Sequence, residues 1–194
     1  MNIFYDYKMA ETITQYEENI QECRRIFLHK TKDYGTSWRV YRPISIADQM
    51  YIKAKRIRTI QENRRQLVGD SIASEFMGIL NYSVIGLIQL ELPSDAPEEL
   101  DYDKVRDLYD EQVARATALM ARKNHDYGEA WRDMSQESFT DLILAKLLRI
   151  RQILANDGQT LISEGIDANY LDIFNYAAFA LILIGEGKHK GFEN

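Results

Sequence analysis

The stretch HKTKDYGTSWR at residues 29–39 recurs as RKNHDYGEAWR at residues 122–132, a shift of 93 positions. The same shift aligns residues on both sides of the motif, and after one inserted residue the alignment continues along each copy. The aligned pairs are Tyr16 with Tyr109, Asp48 with Asp141, Lys53 with Lys146, Arg56 with Arg149, and Asn81 with Asn175. Agreement over an entire half-chain indicates an internal repeat, in which one structural unit occurs twice.

The duplication divides the chain into two repeats joined by a linker. Repeat 1 covers about residues 12–92 and repeat 2 about residues 105–187, and the acidic, proline-containing segment 93–104 separates them. A short N-terminal segment, residues 1–11, and a polar tail, residues 188–194, flank the pair. A chain of 194 residues fits one ordinary domain or two small units with a shared core, and we expect the second.

Each repeat is predicted to contain a helix, an irregular loop and two further helices. Apolar residues of the first helix recur at the spacing of one helix face, namely Ile13, Tyr16, Ile20, Cys23 and Phe27. The second helix is expected to begin near Ser45 in repeat 1 and Ser138 in repeat 2, with Asp48 and Asp141 as capping residues. No segment alternates with period two for long. The sequence therefore predicts an all-α fold, a pseudo-twofold helical bundle with about three helices per repeat.

Composition restricts the class of protein. An apolar content of 45% and a charged content of 28% are typical of globular proteins, and a net charge of −6 argues against general nucleic-acid binding. The single cysteine excludes an intramolecular disulfide and a cysteine zinc cluster. The first ten residues do not resemble a signal peptide, and no stretch approaches about 20 uncharged apolar residues. We expect a cytoplasmic protein without a membrane segment and without stable nucleic-acid binding.

The repeated motif, Lys-x-x-Asp-Tyr-Gly-x-x-Trp-Arg, collects residue types that bind anions and flat rings. Its glycine can supply a positive φ that turns the chain, its cations suit phosphate oxygens, and its aromatic rings can stack on a heterocycle. The candidate substrate-binding residues are Lys30, Tyr34, Gly35, Trp38 and Arg39, with Lys123, Tyr127, Gly128, Trp131 and Arg132. The alternative is a packing joint, in which the acid pairs or caps and the rings fill a helix junction.

The second helix of each repeat carries a lysine within its apolar face. At 100° per residue, Lys146 lies in the middle of the apolar arc and Arg149 on its edge, and Lys53 and Arg56 are their counterparts. A lysine directed between helices must extend to solvent, pair with an acid or meet an anion. The candidate catalytic residues are Lys53, Lys146, Asp33 and Asp126.

The third helix of each repeat places polar residues on an otherwise apolar face. Asn81 and Asn175, with Arg56 and Arg149, complete the candidate substrate-binding set. Glu75 and Asp172 are candidate Mg²⁺ ligands, because Mg²⁺ prefers oxygen ligands and commonly bridges to substrate phosphates. Alternatively, the two carboxylates neutralise the lysines of the second helices inside the bundle.

Over residues 12–187 the chain resembles the nucleotide modification associated domain 1 family. The segments that carry the resemblance are KTKDYGTSW and KNHDYGEAW, each followed by K-x-x-R-I and N-Y. The resemblance implies an all-α protein connected with modified or non-standard nucleotides. More distantly, the layout is similar to the all-α nucleoside triphosphate pyrophosphohydrolases of the MazG and dimeric dUTPase type, whose Mg²⁺ is held by Glu-x-x-Glu and Glu-x-x-Asp helix pairs. This chain departs from that pattern with Glu75-x-x-Gly78 and Asn169-x-x-Asp172.

These observations lead to one functional expectation and one alternative. The chain is expected to bind a modified nucleoside triphosphate, or a related heterocyclic triphosphate, and to hydrolyse it to monophosphate and pyrophosphate with Mg²⁺. The alternative is a non-catalytic nucleotide-binding or partner protein of a nucleotide-modification pathway. In both cases the ligand is a phosphorylated small molecule, and a homodimer is compatible with the sequence.

Overall fold

In the computed structural model, six α-helices and two short 3₁₀ helices make up the described part of the chain, residues 3–190, which contains no strand. Side chains are described from residue 9 to residue 190. The α-helices are α1 (Ile3–Tyr34), α2 (Pro43–Asn63), α3 (Ile72–Glu91), α4 (Tyr102–Tyr127), α5 (Gln136–Ala155) and α6 (Ile166–Gly185), and the 3₁₀ helices are Ser37–Val40 and Ala130–Asp133. The predicted all-α fold with three helices per repeat is confirmed.

The helix ends refine the boundaries drawn from the sequence. α1 begins at Ile3, so it extends through most of the N-terminal segment 1–11, whose first two residues lie outside the described part. α4 begins at Tyr102, inside the predicted linker, because the Asp101 carboxylate accepts the first free backbone N–H groups of that helix. Residues 191–194 of the polar tail also lie outside the described part.

The second helices begin earlier than the sequence predicts. α2 begins at Pro43, whose missing N–H suits a first helical turn, and Ser135 caps α5 by accepting a hydrogen bond from the backbone N–H of Ser138 at 3.2 Å. Asp48 and Asp141 consequently lie inside the two helices rather than at their starts. The prediction that these two residues are helix caps is wrong.

Asp48 and Asp141 instead form ion pairs between the repeats. Arg151 of α5 contacts Asp48 of α2 at 2.5 Å, and Arg58 of α2 contacts Asp141 of α5. The two pairs are related by the pseudo-twofold symmetry, because the same shift of 93 positions converts one into the other. They connect α2 to α5 along the seam between the repeats.

A closed four-helix bundle forms the centre of the protein. Its helices, in the order α2, α3, α6 and α5, each pack against the next. α3 and α6 make the most extensive contact, and α1 and α4 pack on the outside against both of them. Buried apolar residues of both repeats form one continuous core. The site described below therefore lies on a helical scaffold whose single core is formed by both repeats.

The two central helices are apolar over most of their length. By length and composition alone, α3 and α6 could each cross a membrane, yet 61% and 72% of their most apolar windows are buried inside the protein. A core helix surrounded by other helices needs apolar residues around much of its circumference. Burial in the bundle thus accounts for this composition.

Two asparagines of the central helices join the repeats through tyrosine hydroxyls. The hydroxyl of Tyr109 in α4 donates to Asn81 Oδ1 in α3 at 2.8 Å, and the hydroxyl of Tyr16 in α1 donates to Asn175 Oδ1 in α6. Each asparagine also donates to a backbone carbonyl, in α1 for Asn81 and in α4 for Asn175. Each tyrosine belongs to the opposite repeat from its asparagine, so the two units are interlocked.

We predict that Tyr16→Phe lowers the free energy of unfolding by about 1–3 kcal/mol, because it leaves the buried carbonyl oxygen of Asn175 without its donor. Urea denaturation measures the change. Tyr127→Phe, which alters a ring that is 72% exposed, is the control and should change stability by less than about 0.5 kcal/mol. Equal stability of the wild type and the Tyr16 variant would contradict the interlock.

Candidate functional site

A cavity of about 400 Å³ lies in repeat 1 between α1, the Ser37–Val40 helix, α2 and α3. This volume falls at the small end of the range for small-molecule sites. Motif residues Lys30, Tyr34, Gly35 and Trp38 line it together with Lys53 of α2 and Gly78 and Asn81 of α3. Apart from Gly78, these are residues that the sequence assigned to a ligand site, so the structure brings six of them together.

The glycines of the motif end the first helix of each repeat. Gly35 and Gly128 have φ angles of 64° and 59°, so the positive φ predicted for both is confirmed. Each backbone N–H bonds to the carbonyl four residues earlier, which closes the last helical turn. The chain then reverses into the 3₁₀ helix, and this turn directs Trp38 and Trp131 towards the bundle, where both are buried.

The two tryptophans differ in their hydrogen bonding. The Trp131 Nε1 atom donates to Asn124 Oδ1 at 2.9 Å. The Trp38 Nε1 atom is buried and has no acceptor among the described residues. At the position equivalent to Asn124, Thr31 uses its hydroxyl to bond the backbone carbonyl of Phe27. Buried N–H groups are normally paired, so the Trp38 indole carries an unsatisfied donor on a residue that lines the cavity.

One cation of the cavity wall is held by an internal acid. Glu75 of α3 is buried, and its carboxylate contacts Lys53 Nζ at 3.0 Å and an Arg56 guanidinium nitrogen at 2.5 Å. Arg56 also donates to the backbone carbonyls of Val68 and Asp70, outside the cavity. The structure therefore supports the second interpretation of Glu75, in which the carboxylate neutralises cations of α2.

The other cation of the cavity wall has no such partner. Lys30 lines the cavity from α1, and no hydrogen bond or ion pair joins its ammonium group to the described residues. The residues that line the cavity include neither aspartate nor glutamate. Lys53 is neutralised by Glu75, so the unpaired ammonium of Lys30 is the positive charge that the cavity wall offers to an anionic ligand.

In repeat 2 the corresponding space holds the protein's own side chains. Asp172 of α6 is buried, and its carboxylate contacts Lys123 Nζ at 2.5 Å and Lys146 Nζ at 2.6 Å. Trp131 stacks on Phe179, with ring centroids 4.3 Å apart and 7° between the planes. The lysines and the tryptophan of this copy are consequently satisfied from within.

The environment of Lys123 shows how strongly Asp172 acts. Burial alone lowers the pKa of the Lys123 ammonium, but the hydrogen bond and negative charge of Asp172 outweigh burial, so the pKa is raised. A raised lysine pKa means that the ion pair contributes its full stability at neutral pH. That contribution is lost only when the pH rises past the ordinary range of a lysine.

The motif arginines hold the scaffold together rather than line the cavity. Arg39 donates to the Gln89 side chain and to the backbone carbonyls of Ala96 and Pro97, which fixes the linker against α3. Arg132 forms ion pairs with Glu129 at 2.9 Å and with Glu186 at 2.8 Å, and it also bonds Thr12 and Gln15 of α1. The packing-joint alternative thus describes these two residues.

Several of the other candidates lie apart from the cavity or only at its edge. Asp33, Asp126, Tyr127 and Arg149 are exposed. Tyr34 lines the cavity but is 56% exposed, so it stands at the cavity's edge. Asn81 and Asn175 are committed to the tyrosine hydrogen bonds described above, and Asn81 still contributes to the wall.

The residues present do not fit a magnesium ion in this conformation. Both oxygens of Glu75 and both oxygens of Asp172 are engaged by lysine or arginine. Within residues 9–190, whose side chains the structure describes, no cluster of three or more His, Cys, Asp or Glu could hold a metal. The magnesium site stays a prediction, and no chemical step is derived from it.

Sequence reasoning missed two tyrosines of the cavity wall. Tyr41 follows the 3₁₀ helix and Tyr82 lies on α3, and their ring centroids are 6.4 Å apart. Burial, followed by the neighbouring Tyr41, raises the pKa of Tyr82 to about 12, so its hydroxyl is a neutral donor at physiological pH. The signals in the sequence were the abundance of tyrosine and the repeated Asn-Tyr pair at residues 81–82 and 175–176, and neither separates wall residues from core residues.

We predict that Asp172→Asn destabilises the protein by about 3 kcal/mol, since it removes the counter-charge of the largely buried Lys146. The expected loss is at the low end for buried pairs because Lys123 keeps partial access to water. Chemical denaturation at neutral pH is the measurement. Asp126→Asn changes an exposed carboxylate and should have no comparable effect; equal losses in both variants would refute the buried ion triad.

The comparisons with known proteins agree with the repeat and its motif. One family model, described as nucleotide modification associated domain 1, matches residues 30–90 and again residues 123–184. The two matches begin at Lys30 and Lys123, the first lysines of the two motifs. No curated protein and no solved structure gives a match. Because the family model covers more than half of the chain, the protein belongs to the nucleotide modification associated domain 1 family, in two tandem copies.

Proposed function

We propose that this protein binds a nucleotide, or a phosphorylated heterocycle of similar size, in the cavity of repeat 1. One observation carries the proposal: the cavity joins an unpaired lysine, Lys30, to a buried indole N–H of Trp38 that has no acceptor among the described residues. A buried indole N–H is normally paired, and the exposed Lys30 ammonium is free to meet an anion. The family to which the chain belongs supports a link to nucleotides.

The wall offers separate contacts for the two parts of such a ligand. Lys30 and Lys53 suit phosphate oxygens, because an ammonium group is a point charge with three donors. Trp38, Tyr41 and Tyr82 provide rings and neutral donors for a heterocycle. An exposed Tyr34 at the edge can cover the ligand from the solvent side.

The residues of the wall favour binding over hydrolysis as the proposed activity. Hydrolysis of a triphosphate needs a group that positions water and stabilises the developing charge. Asp33 and Asp126, the carboxylates assigned to that role, are exposed and do not line the cavity. The proposal is therefore the binding function, and the assay below includes pyrophosphate release as a separate readout.

Isothermal titration calorimetry with ATP, GTP, CTP, UTP, dTTP and a 5-substituted pyrimidine triphosphate tests the proposal. We expect at least one triphosphate to bind and the matching unphosphorylated nucleoside to bind far more weakly, because the lysines recognise phosphate. Pyrophosphate release, measured with Mg²⁺ present, would extend the function to hydrolysis. Failure of every triphosphate to bind at millimolar concentration would overturn the proposal.

We predict that Lys30→Met weakens binding of the best triphosphate by about 10- to 100-fold, the cost of one hydrogen bond to a charged group. Lys30 is exposed and unpaired, so the variant should fold normally. The matched control is Lys32→Met, on the same helix, whose ammonium lies over the ring of Tyr102 instead. If both variants bind as the wild type does, Lys30 is not part of the site.

We predict that Trp38→Phe weakens the same triphosphate by about 3- to 10-fold, because it removes the free indole N–H but keeps an aromatic ring. Trp131→Phe is the control, since the N–H of that residue is already bonded to Asn124. Circular dichroism must first show that both variants are folded. An affinity loss in the Trp131 variant equal to that of the Trp38 variant would contradict the assignment.

A further inference from the structure

We infer that repeat 2 is a self-occupied copy of the binding site, so that the chain holds one ligand rather than two. In this inference, which rests on the proposed function, the Asp172 carboxylate and the Phe179 ring stand where the ligand's anionic group and ring stand in repeat 1. The ligand's anionic group then lies between Lys30 and Lys53, beside Gly78.

The charged groups give the first argument. Lys123 and Lys146 of repeat 2 align with Lys30 and Lys53 of repeat 1. Both lysines of repeat 2 contact one carboxylate, Asp172, at 2.5 and 2.6 Å. The position that aligns with Asp172 is Gly78, which has no side chain and lines the cavity. Repeat 2 thus shows the geometry in which this pair of lysines binds an anion.

The aromatic groups give an independent argument. Trp131 is covered by Phe179, which stacks on it almost parallel at a centroid distance of 4.3 Å. The residue that aligns with Phe179 is Ile85, an aliphatic residue that cannot stack as a ring does. Trp38 and Ile85 both line the cavity of repeat 1. A flat heterocycle of the ligand would take the place of the Phe179 ring.

The hydrogen-bond donors follow the same division. The indole N–H of Trp131 is satisfied by Asn124, whereas the indole N–H of Trp38 has no acceptor among the described residues. The motif lysine, the tryptophan ring and the indole N–H each have a partner in repeat 2. In repeat 1, among the described residues, Lys30 and the Trp38 N–H have no partner and no aromatic ring stacks on Trp38. Three separate groups differ in the same direction, which a local packing difference would not require.

The space beside Gly78 shows what an acid there would displace. A Cβ atom at this position would lie 2.8 Å from Cε and 3.2 Å from Nζ of Lys53. These atoms form the far end of a flexible side chain, so Lys53 can move and bond a new carboxylate, as Lys146 bonds Asp172. An aspartate at position 78 should therefore fold and occupy the site from within.

The first experiment is calorimetry of Gly78→Asp with the best-binding triphosphate of the panel above. We expect Gly78→Asp to bind that triphosphate at least about 10-fold more weakly than Gly78→Asn, the variant of equal size without the charge. Melting curves establish that both variants are folded. Equal affinities in the two variants, whether retained or lost, would overturn the inference, because then no carboxylate competes for the lysines.

Stoichiometry separates this inference from the proposed function. We expect one triphosphate per wild-type chain. Two per chain would overturn the self-occupied site while leaving the nucleotide-binding function intact, whereas none would overturn the proposed function itself. The double variant Asp172→Gly/Phe179→Ile should bind two. A folded double variant that still binds one would overturn the equivalence of the sites, and if it does not fold, the comparison at Gly78 decides.

Discussion

A lysine on the buried face of a helix needs negative charge beside it, and the rest of the site depends on how each repeat supplies that charge. In repeat 1 the acid is Glu75, which holds Lys53 together with an arginine. In repeat 2 the acid is Asp172, about one helical turn later in the aligned sequence, and it holds Lys146 together with the lysine of the motif. An ammonium left without a partner in such a position costs several kcal/mol, so the acid is obligatory in both. The position of the acid decides whether the motif lysine is paired. It therefore also decides whether the cavity keeps an unpaired positive charge.

The duplicated scaffold is maintained by contacts that occur twice. The tyrosine–asparagine hydrogen bonds and the arginine–aspartate ion pairs each cross from one repeat to the other, and each has a pseudo-twofold counterpart. A contact that needs one partner from each repeat constrains both repeats equally. The cavity is different, because every residue of its wall belongs to repeat 1. The two copies can therefore differ at the site without losing the symmetry of the bundle.

The motif serves two purposes that its residue types do not reveal. Its arginines fix the linker and the helix ends, and its glycines turn the chain, so these positions are structural in both repeats. Its first lysine and its tryptophan are structural in repeat 2 but open towards a cavity in repeat 1. The motif is thus a folding joint in both repeats, and in repeat 1 it also lines the cavity for which we propose a binding function. The packing-joint interpretation describes the arginines of the motif, and the ligand-loop interpretation stays a prediction for Lys30 and Trp38.

The sequence alone determined the repeat and the all-α fold. It also determined the positive φ at Gly35 and Gly128 and the inward position of Lys53 and Lys146. These features follow from periodicity and residue type, which act locally along a helix. The sequence could not assign Asp48 and Asp141 to ion pairs between repeats, nor Asn81 and Asn175 to tyrosine hydroxyls, since those partners lie far away in the chain. Only the tertiary structure decided that the motif of repeat 1 lines a cavity while the lysine and tryptophan of the repeat 2 motif contact other side chains of the protein. That outcome depends on whether side chains such as Asp172 and Phe179 reach the lysines and the tryptophan of other helices. Such contacts are set by how the helices pack, and the order of residues within a single helix does not determine them.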